Sequence, residues 1–166
     1  MNTESLGKCF LGELEAEITA TRKCLERIPE SIFGWKPHEK SMVMGYLVQL
    51  VAEMPKWITE IIEKSVIDLA TFEHFQPKNT AEVVNHFDEN IIGAQNALQK
   101  VTNEELSEKF YLKNNGVELF TTPKDETISS TLNHWVHHRG QLTVYMRLNN
   151  IPVPSIYGPS ADEKVF

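Results

Sequence analysis

The sequence predicts an all-α fold: an antiparallel four-helix bundle in a single domain over residues 1–166, with an irregular segment before the last helix and an extended C-terminal tail. Three observations predict it. Four long segments carry apolar residues at the 3.6-residue spacing of helices with one buried face, and no run of comparable strength alternates as a strand does. One longer connection, between the second and third helices, leaves the others short, as suits antiparallel neighbours. The chain has 166 residues, 41% of them hydrophobic, which suffices for one core and is too apolar for disorder.

The first helix is expected over Thr3 to Arg27, with Phe10, Leu11, Leu14, Ile18 and Leu25 as its apolar stripe, and Pro29 ends it. Ser41 reads as the N-cap of a second helix reaching about Ser65, buried through Leu47, Leu50, Val51, Met54, Trp57, Ile58, Ile61 and Ile62. Pro55 falls inside that pattern and predicts a kink near Val51 to Met54. Asn79 with Glu82 matches a capping box and opens a third helix whose buried face is Val83, Val84, Phe87, Ile91, Ala94 and Leu98. A second box, Thr102 to Glu105, opens a short helix ending near Lys109. Residues Phe110 to Lys124 are irregular, and Asn114-Asn115-Gly116 allows a small hairpin or an extended loop. The fourth helix runs from about Asp125 to Asn149, and the tail, Ile151 to Phe166, carries three prolines and Gly158.

Composition excludes several functions. With 16 Lys+Arg against 23 Asp+Glu, the formal charge is -7, and the basic residues are scattered. Such a chain has no basic excess with which to neutralise phosphates, so nucleic-acid binding is not expected. No apolar run approaches the roughly 20 residues that cross a bilayer, and Met1 to Phe10 has no apolar region of a secretory signal. Cys9 and Cys24 share one helix, about 22 Å apart, too far for a disulfide. Both read as reduced, core-facing thiols of a cytoplasmic protein.

Chemistry concentrates in the fourth helix, at Asn133-His134-Trp135-Val136-His137-His138-Arg139-Gly140-Gln141. His134 and His138 are i and i+4, so both imidazoles lie on one face and suit a shared divalent metal. Gln141 and Tyr145 continue that stripe as candidate pocket-lining donors, while His137 points elsewhere. His38, His74 and His86 read as surface histidines. No H-E-x-x-H, E-x-x-H, phosphate-binding loop, C-x-x-C or EF-hand pattern occurs.

Three stretches resemble the DinB-like family of four-helix-bundle proteins, which groups bacterial damage-inducible proteins with metal-dependent thiol transferases. They are Trp35 to Met42, Leu47 to Trp57 with its Ala52-Glu53-Met54-Pro55, and Asn133 to Tyr145 with the following Pro152-Val153-Pro154 and Tyr157 to Glu163. The resemblance implies a metal held by one histidine of the second helix and two of an H-x-x-x-H in the fourth. His134 and His138 match that pair. The second-helix position is occupied by Leu50, which has no lone pair, with Gln49 beside it. Gln49, Glu53 and His38 are the candidate substitutes. A two-histidine remnant binds metal less tightly than a three-histidine site. The expectation is therefore a bundle protein with a partial site and weak or no metal binding. The alternative is a hydrolase or thiol transferase using a histidine-held Zn²⁺, Ni²⁺ or Fe²⁺. The resemblance also implies a homodimer with an unknown small-molecule ligand.

Overall fold

A computed structural model describes residues 5–164 of the chain. In chain order it comprises α1 (Leu6–Glu26), α2 (Met44–Lys64), β1 (Val66–Asp68), α3 (Thr80–Lys100), α4 (Asn103–Ser107), β2 (Lys109–Asn114), β3 (Val117–Pro123) and α5 (Lys124–Leu148), with a 3-10 turn at Glu30–Ile32. The expected start of α1 at Thr3 lies outside the described residues. Each of the four long helices packs on two others: α1 and α2 each lie against both α3 and α5. The core between them is filled by side chains such as Leu14, Leu47, Val51, Phe87 and Trp135.

The molecule is mostly helical but not all-α. β2 pairs antiparallel with β3, and β1 lies parallel to β2, giving a three-stranded mixed sheet in the order β1-β2-β3. The hairpin is the one the Asn-Asn-Gly turn allowed, with Asn115 and Gly116 at φ 51° and 75°. Its turn is held by Asp68, whose carboxylate accepts the N–H groups of Gly116 (2.7 Å), Asn115 (3.0 Å) and Ala70 (3.0 Å). Those bonds, the Gly116 one foremost, hold the Asp68 carboxyl below its ordinary range.

Local starts differ from expectation where tertiary groups replace side-chain caps. Val43, not Ser41, precedes α2, and no side chain caps it. Instead Met44 N–H donates to Trp35 C=O (2.7 Å) and Gly45 N–H to Phe33 C=O (2.8 Å). Gly45 permits that approach, since a Cβ there would lie 3.0 Å from Phe33 Cβ. The side-chain caps at Asn79 and Thr102 form as expected, the second as a complete capping box. Cys9 is exposed rather than core-facing, while Cys24 is buried and its thiol is pushed up to about 11 by that burial.

α2 runs through Pro55 without interruption. Proline has no N–H, so the Val51 carbonyl four residues earlier loses its helical donor. Trp135 of α5 supplies the substitute, its indole Nε1–H donating to Val51 C=O at 2.9 Å, and Asn90 of α3 donates to the neighbouring Ala52 C=O at 3.0 Å. The proline thereby couples α2 to α5, and the Asn90 bond adds a separate tie to α3.

The tail returns over α1 and α5 through polar contacts. Arg139, 2% exposed, pairs with Glu17 of α1 and donates to Thr21 Oγ1 (3.1 Å) and Tyr157 Oη (2.8 Å). Arg27 pairs with Glu163 and Arg147 with Asp162. The Tyr157 to Glu163 signature is thus a strap tied to two helices.

Two outcomes follow for stability. Trp135→Phe is expected to cost about 1–3 kcal/mol, because Val51 C=O is left buried without a donor, and clearly less in a Pro55→Ala background, where the helical N–H returns. Urea unfolding of the four proteins of this cycle measures the coupling, and simple additivity would rule the account out. Arg139→Leu leaves the Glu17 carboxylate with only Tyr157 Oη (3.0 Å) among these partners and is expected to lower stability by up to about 3–5 kcal/mol. A loss no larger than that of an exposed arginine would show the pair to be dispensable.

Candidate functional site

The register fixed by Trp135 and Val51 sets the residues immediately before them, His134 and Leu50, on one cavity of about 490 Å³. Its walls are Met42, Tyr46, Leu50, Met54, Trp57, Leu69 and His74, with His134 and His138. A second lobe of about 480 Å³ shares Met54, Trp57, Leu69 and His134 and extends to Phe110, Leu112 and Phe120 of the sheet and to Thr127 and Thr131 of α5. The two lobes form one apolar cleft between α2, α5 and the sheet. The Trp57 indole N–H is buried and has no hydrogen-bond partner among the described residues.

The histidine pair is a hydrogen-bonded chain. His138 Nδ1 lies 2.8 Å from Gln141 Oε1, and His138 Nε2 lies 2.7 Å from His134 Nε2. An amide oxygen only accepts, so Nδ1 of His138 donates to it. The neutral His138 ring then carries its lone pair on Nε2, where it accepts Nε2–H of His134. Burial is the first cause holding both imidazoles below their ordinary value of 6.5, and neighbouring imidazoles add to it. His138 is buried at 8% exposure, while His134 is exposed. His137 is exposed beside them, its ring edge-on to His138.

The candidate third ligands are placed as follows. Leu50 lines the cavity beside the pair. Gln49 is buried and does not line it. His38 is in the exposed loop before α2, its Nδ1 accepting Lys40 N–H. Glu53 is fully buried and bonded to His74 and Phe75. Of the pocket candidates, Gln141 sits behind His138 as its hydrogen-bond acceptor. Tyr145 is buried, stacked edge-on to Trp35, and donates to Met42 C=O at 3.1 Å.

A resident metal of the kind the resemblance implies takes three protein ligands and a water. Here two imidazoles face a leucine, and among the described residues no three His, Cys, Asp or Glu side chains converge on one point. The donor set does not fit a three-ligand centre.

Two histidines read as surface residues are not simple surface groups. His86 is partly buried, stacked on Phe75 at 4.1 Å, with Nε2 buried and unpartnered among the described residues. His74 reaches the cavity with Glu53 behind it. Glu53 was expected only as a substitute metal ligand, and its pairing with His74 is what sequence reasoning missed. Its signal was position: it falls three residues after Leu50 and four before Trp57, inside the apolar stripe of α2. Among the described residues no helix is long and apolar enough to cross a membrane.

The chain is similar to the uncharacterized protein YrdA of Bacillus subtilis (strain 168), 44% identical over 41 residues, a stretch that spans 25% of each chain. Its fold is similar to that of a DinB-like protein, YjoA, from Bacillus subtilis, with a TM-score of 0.70 and 17% identity over 89% of this chain and 97% of that one. A DinB-like protein from Bacillus cereus matches with a TM-score of 0.67 and 21% identity, over 90% and 97% of the two chains. The model of the DinB family matches residues 1–164, and the chain belongs to that family.

Proposed function

We propose that this chain is a small-molecule-binding DinB-family protein whose four long helices form an antiparallel bundle around an apolar ligand cleft. In this reading the His134–His138 pair is the polar anchor of the cleft, and a divalent metal binds weakly or not at all. One observation carries it: the two imidazoles satisfy each other through a shared Nε2–H···Nε2 bond beside Leu50, where a third donor would be needed. We further read the protein as a cytoplasmic homodimer.

A second reading, a metal-dependent hydrolase or thiol transferase, is favoured by Gln141. Its bond to Nδ1–H of His138 presents Nε2 with a lone pair, the tautomer that a metal ligand needs. For His134 to offer Nε2 as well, its hydrogen would have to move from Nε2 to Nδ1, which keeps the ring neutral.

Elemental analysis of chelator-washed protein separates the two. The first reading expects well under one equivalent of zinc, nickel or iron. A full equivalent that survives washing and vanishes in His138→Ala would establish the second. Leu50→His is expected to raise zinc affinity by about 100-fold or more, roughly 2.7 kcal/mol, by completing a three-imidazole set. No gain would show that Leu50 is not the third-ligand position.

Acid provides an independent check on the neutral pair. His86, His134 and His138 are all held below 6.5 by burial. The unfolded chain therefore binds protons that the folded chain refuses. The stabilisation is complete above about 6.5 and is lost as pH falls through that value towards the depressed folded-state values. Thermal unfolding between about pH 7.5 and 5 should show a falling midpoint, and His138→Gln should flatten it. An unchanged slope in the variant would refute the assignment.

A further inference from the structure

A second titratable pair reaches the same cavity. Glu53 is 0% exposed, and its carboxylate is held from two directions by the segment that follows β1. Oε1 accepts Phe75 N–H at 3.0 Å, and Oε2 lies 2.7 Å from His74 Nδ1. A carboxylate only accepts, so Nδ1 of His74 carries the hydrogen and the neutral ring has its lone pair on Nε2. His74 is 37% exposed and lines the cavity, and the edge of Phe72, 5.0 Å away, braces its ring.

Other charged groups nearby do not compete for Glu53. Lys56 lies over the Phe72 ring and donates to Glu73 C=O at 3.4 Å. His86 Nε2 is 3.9 Å from Oε1, beyond hydrogen-bond reach, and burial disfavours its charged form. The carboxylate is therefore committed to His74.

We propose that Glu53 and His74 form a general-base dyad that takes the proton from an aryl hydroxyl of a small aromatic ligand in the cavity. The proposal rests on the reading of that cavity as a ligand site. Met42, Leu50, Met54, Trp57 and Leu69 supply walls for an aromatic body; among the described residues the lone pairs of His74 Nε2 and His134 Nδ1 are both free of hydrogen bonds, and of the two rings His74 is the one backed by a carboxylate. The ligand's O–H bond breaks, its electron pair stays on oxygen, and the proton moves to His74 Nε2. The products are an aryloxide and an imidazolium whose Nδ1–H remains bonded to Glu53. His74 acts on the ligand directly, and Glu53 is a positioning residue that fixes the tautomer and offsets the developing charge.

The test uses p-nitrophenol, whose phenolate absorbs separately from the phenol, together with nitrogen NMR of the imidazoles in the full chain. At a pH about one unit below the probe's own pKa, binding to the wild-type protein should raise its phenolate-to-phenol ratio by about tenfold, one pKa unit. Glu53→Gln and His74→Gln should retain binding and lose that shift. The second variant, at an exposed position, keeps an N–H for Glu53 and removes the basic nitrogen. NMR should place the hydrogen of neutral His74 on Nδ1. Bound probe with an unchanged ratio, an equal shift in His74→Gln, or a hydrogen on Nε2 would each overturn the dyad alone. Equilibrium dialysis showing no binding to wild-type protein would overturn the ligand-cavity reading together with the aryl-hydroxyl assignment.

Discussion

The hydrogen bond from the Trp135 indole to the Val51 carbonyl is the constraint on which the site depends. It exists because Pro55 removes the helical donor that Val51 would otherwise have. A buried carbonyl without a donor costs about 1–3 kcal/mol, so the partner that fills it has to sit at one height along α2. Trp135 is large, apolar and capable of donating once, which makes it both a core filler and a register pin. Asn90 of α3 adds a bond to the next carbonyl, Ala52, which keeps its own helical donor. Sequence adjacency then performs the rest. His134 precedes Trp135 and Leu50 precedes Val51, so fixing the indole on the carbonyl brings the imidazole and the leucine to one cavity.

α5 illustrates why a helix carrying a site is a poor match to simple amphipathic patterning. It buries Lys124, Thr127, Thr131, His138 and Arg139 alongside Ile128, Leu132, Trp135 and Leu142. Each polar group has a local reason. Lys124 meets Ile62 C=O and Glu108, Thr131 bonds back to Thr127 C=O, and Arg139 meets Glu17, Thr21 and Tyr157. Burying such groups is tolerable only when they are paired. The pairing is what brings the C-terminal strap and the start of the hairpin onto this helix. The site therefore rests on a frame that is itself held by polar contacts on both sides.

Much of this was legible in the sequence, and the parts that were not have physical reasons. The long helices follow from the 3.6-residue stripe, and the Asn79 and Thr102 caps from local side-chain chemistry. The spacing of His134 and His138 alone put them on one face. The all-α expectation failed at β1, whose three residues carry no periodicity and gain their partner from β2, more than forty residues on. Ser41 looked like a cap because capping was sought in side chains, whereas backbone carbonyls of Trp35 and Phe33 do that work. Glu53 reads in the sequence as a candidate ligand on α2, and its full burial goes against the usual solvation of acidic residues. Its partner His74 lies in a loop 21 residues later, and nothing local predicts that contact.

The histidine pair gains meaning from what surrounds it. With a third imidazole, two convergent Nε2 atoms are a chelating face. With leucine there, the same geometry settles as a proton-sharing chain, Gln141 to His138 to His134, closed by a single hydrogen. Leu50 also makes the wall apolar at this point, with surface worth about 1.5–3 kcal/mol when fully covered. A molecule covering that surface would meet His134 and His138 on α5 and His74 at the rim. One set of imidazoles is ordered by an amide and the other by a carboxylate, and that difference separates their chemistry. An amide orients a ring without charge, whereas a carboxylate also stabilises the imidazolium that proton transfer creates. Within one cleft, the α5 pair is suited to hold a polar group, and His74 is suited to accept its proton.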